Sequence, residues 1–250
     1  MALIDALRAE VLKSKRSLAL WMAFLAPLMI EVLDFVLYFQ RGYIRTDVED
    51  AWLWLGQSTL SYWSLLMLPL FVALETALLS NVEHANEGWK HLFALPIPRA
   101  TTYAAKQILA MAISGFSTFS LLGFTLLNGL LLRALRPEIG LDSSIPWGTL
   151  VTSAVLVFLG SWLLISLHTW VAARWKSFVV AMGAGIAMTV AGMVVVNWEW
   201  GRFYPWAMPG LMANQYMDGR MPVAELLLGS LGGLITAVVG CWEFTRRDVL

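Results

Sequence analysis

The chain has 250 residues, of which 59% are hydrophobic and only 14% charged, against roughly 45–50% and about 25% in soluble domains. So much apolar surface would leave a water-soluble fold with large exposed patches, and it is the reverse of the bias that keeps a chain disordered. Seventeen Lys and Arg cancel seventeen Asp and Glu, and Cys241 is the single cysteine. This removes the basic footprint of a nucleic-acid binder and leaves neither an internal disulfide nor a cysteine-based metal cluster. The composition is that of an integral membrane protein.

Residues 1–17 place Leu3, Ile4, Leu7 and Val11 on one arc of a helix, with Asp5, Arg8, Lys13 and Arg16 opposite and Leu12 off the stripe. This pattern predicts an amphipathic helix lying in the membrane interface. The competing reading is the ordinary basic flank of a membrane anchor. Six stretches then reach the roughly 20 apolar residues that a spanning helix needs: Leu18–Phe39, Tyr62–Val82, Ile108–Leu132, Gly148–Ala172, Phe178–Asn197 and Ala224–Trp242. They lack period-2 alternation and are too long for barrel strands. Helices are therefore what satisfies the backbone in lipid. The first stretch is too long for a signal-peptide core and ends without a small-residue cleavage site, so it is expected to stay as an anchor.

The predicted fold is an all-α bundle of six spans, residues 1–250 forming one transmembrane domain with short loops. The longest loops are expected at Gln40–Ser61 and Trp198–Val223. Between the fourth and fifth spans only Arg174, Trp175, Lys176 and Ser177 break the apolar run, which predicts a tight turn. With a cytoplasmic N-terminus, inside segments carry 11 of the basic residues and outside segments 6. The positive-inside rule thus places both termini in the cytoplasm.

The segment after the second span reads Glu83-His84-Ala85-Asn86-Glu87-Gly88-Trp89-Lys90-His91-Leu92-Phe93. On a helical wheel Ala85, Trp89, Leu92 and Phe93 fall together, with Glu83, Glu87, Lys90 and His91 opposite. Pro96 and Pro98 end the helix, since a residue before proline is pushed to extended geometry. An aromatic anchor with a polar rim suits protein docking, and a helix resting on lipid headgroups fits the periodicity equally.

Three acids fall at membrane depth: Glu31, Asp34 and Glu75. An ionised carboxylate there costs at least about 2.5–3.5 kcal/mol, so each is expected to face the bundle interior or water. They are candidates for a translocation pathway, with inter-span contacts, or interfacial exposure for Asp34, as the alternative. Gly229-x-x-x-Gly233 in the sixth span, and Gly183, Gly185 and Gly192 in the fifth, permit close helix approach and read as packing within the chain. The aromatics Trp198, Trp200, Phe203, Tyr204 and Trp206 read first as an interfacial belt. The second reading is a short helix dipping into the membrane, broken by Pro205 and Pro209, with Tyr204, Pro205, Trp206 and Pro209 as an outer gate.

Catalytic signatures are missing from the sequence. There is no phosphate loop and no zinc-protease His-Glu-x-x-His, and His84, His91 and His168 do not cluster. His168 reads as a hydrogen-bonded structural residue. Serines such as Ser114, Ser117 and Ser161 lack a nucleophile context and read as helix-bridging groups. No catalytic or metal residue is expected, and no cofactor on this chain.

The stretch Lys90-x-x-x-Ala94-Leu95-Pro96-Ile97-x-Arg99, followed by Lys106, resembles the cytoplasmic signature of type-2 ABC exporter permeases. Within these, the chain is most similar to the small six-span subunits that protect bacteria from lantibiotics and bacitracin. Tyr204-Pro205-Trp206-x-x-Pro209 and the Arg246-Arg247-Asp248 tail add to the resemblance, which covers nearly the whole chain through length, span count and topology. It implies a coupling helix seated on a separate ABC ATPase that binds ATP and Mg, with Glu83, Glu87, Trp89, Lys90, Leu92 and Phe93 as docking residues. It also implies pairing with a second permease subunit, homo- or heterodimeric, in the bacterial cytoplasmic membrane. The expected function is the permease subunit of an ATP-driven exporter for an antimicrobial peptide or another amphipathic, lipid-like molecule. The alternative is a membrane scaffold or sensor that docks a cytoplasmic partner through the same loop.

Overall fold

The structure is a computed structural model that describes residues 2–15, 17–41, 50–85 and 98–246. Among them there are helices and turns but no strands, and six helical segments are long and apolar enough to cross a membrane. These are span 1 (Leu18–Gln40), span 2 (Ala51–His84), span 3 (Arg99–Leu135), span 4 (Trp147–Arg174), span 5 (Phe178–Val195) and span 6 (Val223–Thr245). A separate N-terminal helix, Ala2–Ser14, precedes them. The bundle end that carries this helix is called basal, the other distal.

Spans 2 and 3 are longer than the apolar pattern predicts, and for local reasons. Asp50 caps span 2, its carboxylate accepting from the Trp52 N–H at 2.9 Å. Trp52 and Leu55 are buried beside Leu132 and Leu141, so the helix begins at Ala51 and the expected Gln40–Ser61 loop is much shorter. Its apolarity is diluted there by Gln57, Ser58 and Thr59, which is why the apolar run begins later than the helix does. Span 3 starts at Arg99, immediately after Pro98, and Lys106 is therefore two turns inside the helix rather than at its mouth.

Two spans are interrupted, one of them beside a proline. Pro69 has no N–H and its ring crowds the carbonyl four residues back. Just ahead of it, Trp63–Met67 widens into a π-helical turn in which the Leu68 N–H reaches the Trp63 carbonyl. Span 4 breaks at Ser161 between Trp147–Gly160 and Trp162–Arg174. The turn expected at 174–177 is present, with the Ser177 hydroxyl accepting from the Val180 N–H.

Spans 1 to 4 share one apolar core that includes Ala26, Ile30, Trp63, Phe71, Leu121, Val157 and Ile165. Spans 5 and 6 are peripheral, with 22% of their most apolar stretches buried against 50–56% for spans 2, 3 and 4. Span 6 reaches span 4 through its glycines. A Cβ on Gly229 would lie 2.8 Å from the Gly160 Cα, and one on Gly233 would lie 2.7 Å from the Trp162 carbonyl carbon. The Gly-x-x-x-Gly ridge is thus used inside the chain. In span 5, Gly185 meets Ala73 and His168, Gly192 meets Trp206, and Gly183 faces open space.

The N-terminal helix meets the bundle through its polar side. Its buried face is Ala6, Glu10 and Ser14, whereas Leu3, Ile4 and Leu12 are exposed and Leu7 is half-buried on the core. The apolar stripe is therefore largely left free, and a small, polar ridge makes the contact. The reason is the charge on Glu10 and its partners.

Candidate functional site

At the basal end four charges interlock. The Lys106 ammonium, 2% exposed, donates to Glu10 Oε2 at 2.8 Å, to Glu83 Oε2 at 3.0 Å and to the Leu79 carbonyl at 2.7 Å. Lys13 joins the other oxygens of the same acids, with Glu83 Oε1 at 2.9 Å. Two acids and two bases thus tie the N-terminal helix to spans 2 and 3. Burial opposes charge on Glu10, but the ammonium groups of Lys106 and Lys13 outweigh it and hold the carboxyl below its ordinary value. Burial likewise opposes charge on Lys13, and Glu10 and Glu83 reverse it, raising the amine above its ordinary value.

This places Glu83 in the interior, 2% exposed, where the sequence pattern puts it on the polar side of a docking helix. Glu87, Trp89, Lys90, Leu92 and Phe93 lie outside the described residues. Beside Glu83, His84 Nε2 bonds the Ala172 carbonyl of span 4 at 2.9 Å. At the foot of span 4, Trp170 and Arg174 both donate to the Glu243 carboxylate of span 6. The base of span 2 is therefore linked to the N-terminal helix and to spans 3 and 4.

The three membrane-depth acids are all buried, Asp34 included. Glu31 is well served: Thr125 donates its hydroxyl to Oε1, and Asn128 donates to Oε2 at 2.9 Å. Asp34 accepts from the Thr59 hydroxyl at 2.8 Å. Glu31 and Asp34 thus bind span 1 to spans 3 and 2. Glu75 is separate and accepts one bond, from the Ser114 hydroxyl of span 3 at 3.1 Å. The structure does not bring the three acids into one strip.

At the distal end, Trp198, Trp200 and Phe203 are exposed, as a belt would be. From Tyr204 the chain turns inward. The Tyr204 hydroxyl donates to the Met188 carbonyl at 3.0 Å, and Trp206 Nε1–H donates to His168 Nε2 at 3.1 Å. That acceptor role makes His168 a neutral imidazole carrying its proton on Nδ1. Half-buried Pro205 shapes the turn, and buried Pro209 sits in the first turn of the helix Met208–Met217, where proline is well tolerated. Pro209 starts that helix and does not break it. Gly210 presses on Ser64 and Leu65 of the π-turn, and Met212 on Gly160 beside the break in span 4. The short helix Met208–Met217 thus packs against both interruptions. Arg202 pairs at 3.0 Å with buried Glu225 of span 6, which fixes the start of the dip.

The sequence pattern finds the membrane-depth acids and misses their partners and Glu10 of the knot. Glu10 and Lys13 stand three apart on a face that hydropathy leaves blank. Thr59, Ser114, Thr125 and Asn128 are polar residues in apolar runs and are visible only as such.

The features above define a multi-pass helical membrane protein with a short helix packed between spans at one end and a buried charge knot at the other. Its residues 6–192, well over half the chain, match the model of the family described as "ABC-2 family transporter protein". The chain belongs to that family. Members are membrane components of transporters, and membership implies association with an ABC ATPase. No characterised protein and no solved structure gave a match.

Proposed function

We propose that this chain is the membrane-spanning permease subunit of an ATP-driven exporter, with its basal end in the cytoplasm. The observation that carries the proposal is the knot at the base of span 2, taken with the family membership. The proposed coupling segment, with Trp89 as its anchor, leaves span 2 directly after the knot. A push delivered there would pass into a span held to the N-terminal helix, span 3 and span 4. From Ala51 to Ala85 the helix is about 50 Å long at 1.5 Å per residue, and its distal half carries the π-turn on which the short helix Met208–Met217 rests. Rigid-body rotation of such a lever is a common way to switch packed helices between two arrangements.

The proposed substrate is an amphipathic antimicrobial peptide or a lipid-like molecule, as in the self-protection permeases that the sequence resembles. What supports this class is the apolar bundle, in which the membrane-depth acids Glu31 and Asp34 are engaged by hydroxyls and an amide instead of standing as a charged lining. We further propose that two permease subunits pair in the bacterial cytoplasmic membrane and that ATP and Mg bind the separate ATPase.

The test is co-purification of this chain with an ABC ATPase, repeated with Trp89→Ala. A central aromatic anchor commonly carries about 2 kcal/mol or more, so the variant should weaken assembly by roughly thirtyfold. Unchanged capture at native protein levels would remove Trp89 as the anchor. No capture by the wild-type chain would remove the ATPase-coupled reading.

A further inference from the structure

Spans 2 and 3 run antiparallel, and their seam carries two carboxylates eight residues apart. At the basal end Glu83 meets Lys106 at 3.0 Å. Eight residues earlier on span 2 and eight later on span 3, Glu75 meets Ser114 at 3.1 Å. Eight helical residues rise about 12 Å, and buried Leu79 and Ala110 separate the two pairs. One seam therefore shows how the fold treats a buried acid in two different ways.

Glu83 has two ammonium groups, from Lys106 and Lys13. Glu75 is 0% exposed, its Oε2 accepts one hydroxyl, and its Oε1 has no hydrogen-bond partner among the described residues. No described cation pairs with it. Of the titratable groups on the neighbouring elements, Tyr103 of span 3 stands against Gly240 and Phe244 of span 6, and the following are engaged. On span 3, Lys106 is bound to Glu10 and Glu83. On span 4, His168 accepts from Trp206. On span 1, Glu31 and Asp34 are bound by Thr125, Asn128 and Thr59. Span 5 has no ionisable residue. Removing one partner of a buried charge pair is strongly destabilising because a charge is left uncompensated, and an ionised Glu75 would stand in that condition permanently.

We propose that Glu75 is a proton-binding site: the carboxyl stands as a neutral acid in this packed arrangement, with the proton on Oε1 and Ser114 donating to the carbonyl-like Oε2. The proton is a ligand of the closed seam. When the seam between spans 2 and 3 admits water, the O–H bond on Oε1 breaks, water takes the proton as hydronium, and the carboxylate keeps the electron pair and is hydrated. Closing the seam requires the reverse. This holds whatever molecule the protein moves, so it stands or falls separately from the exporter reading.

The experiment is infrared difference spectroscopy of the full chain in lipid nanodiscs at neutral pH, wild type against Glu75→Gln. The expected result is loss of a protonated-carboxyl carbonyl band worth one group per chain, with thermal unfolding unchanged because glutamine is a neutral isostere. Loss of carboxylate stretching bands instead, or no change in the protonated-carboxyl region, would overturn the proposal. Ser114→Ala gives an independent reading should the glutamine variant not accumulate. It removes the bond to Oε2 and should move one protonated-carboxyl band to higher wavenumber. A spectrum identical to wild type would count equally against the site.

Discussion

The charge knot makes a sharp quantitative demand on Lys106. Replacing it with methionine keeps most of the stem volume, so the packing change alone should cost less than about 1.5 kcal/mol. The electrostatic loss is larger. Lys106 makes three bonds of 2.7–3.0 Å while 2% exposed, and two of these are to carboxylates that are themselves 2–4% exposed. Without it, Lys13 alone must hold both acids, and its side chain is 29% exposed. One buried negative charge is then left uncompensated, which typically costs about 3–5 kcal/mol. Because Lys13 still shields part of it, the lower end applies, about 3 kcal/mol or a factor of about a hundred in the folding equilibrium.

Equilibrium unfolding with SDS in mixed micelles measures this directly. Adding Glu83→Gln to Lys106→Met removes the surplus charge and should recover at least about 1 kcal/mol, the coupling expected of residues in direct contact. The N-terminal helix gives a local readout, since Arg8 is exposed on its outer side and trypsin should cut there faster once the helix is released. A Lys106→Met variant within about 0.5 kcal/mol of wild type, the ordinary range for surface changes, would refute the reasoning. So would a double variant that loses as much as the two single changes added together.

Three further outcomes follow from other parts of the molecule. Gly229→Ala puts a Cβ 2.8 Å from the Gly160 backbone and should destabilise by about 1–3 kcal/mol, whereas Gly183→Ala meets nothing within 4 Å and should stabilise by up to about 1 kcal/mol; equal melting of the two variants would contradict the span 4–span 6 contact. Docking of the N-terminal helix, followed by the distance between spin labels at Leu12 and Leu131, should weaken in acid, because Glu10 titrates below its ordinary value and its contribution is lost as pH falls through that lowered value. Lys13 titrates above its ordinary value, so its contribution is lost only as pH rises through the raised value; docking that weakens near neutrality would mean that groups outside the knot control it. Cysteines placed at Asp50, Glu138 and Asp218 should react with an impermeant reagent in intact cells, and one at Asn86 should not; labelling of Asn86 would invert the proposed orientation and remove the coupling reading.

What the sequence conveys well is anything paid for in hydrocarbon. Six spans and the tight turn at 174–177 follow from apolar length and from cations that end it. Gly229 and Gly233 declare a close contact because a missing side chain has few other uses on such a ridge. The signal weakens where a helix continues through polar residues: Gln57, Ser58 and Thr59 lower the hydropathy of span 2, yet Tyr38 bonds the Ser58 hydroxyl at 2.8 Å and Thr59 serves Asp34. Those groups are covered by protein, so the cost that hydropathy assigns to them is not incurred. The short helix Met208–Met217 is obscured for a related reason. Its length is too short to span, and its burial depends on space opened by Pro69 and by the break at Ser161, two residues far away in the chain.

The N-terminal helix carries this logic to the knot. Amphipathic patterning marks Leu3, Ile4 and Leu7 as a face to bury; on a water-soluble protein that means against protein, and at a membrane lipid can cover it. Beside a bilayer the exchange is different: leucine moved from lipid to protein gains little, because lipid tails are as apolar as leucine. An acid moved from unpaired burial to contact with an ammonium gains a great deal. The leucines can stay in lipid, and the helix turns Glu10 and its polar ridge to the bundle, where the buried acid has its ammonium partners. Glu31, Asp34 and Glu83 likewise each lie against donors from another span, whereas Glu75 keeps one buried carboxyl oxygen, Oε1, without a hydrogen-bond partner among the described residues. In this membrane protein the polar residues fix how the helices are placed against one another, and apolar length fixes only that they cross.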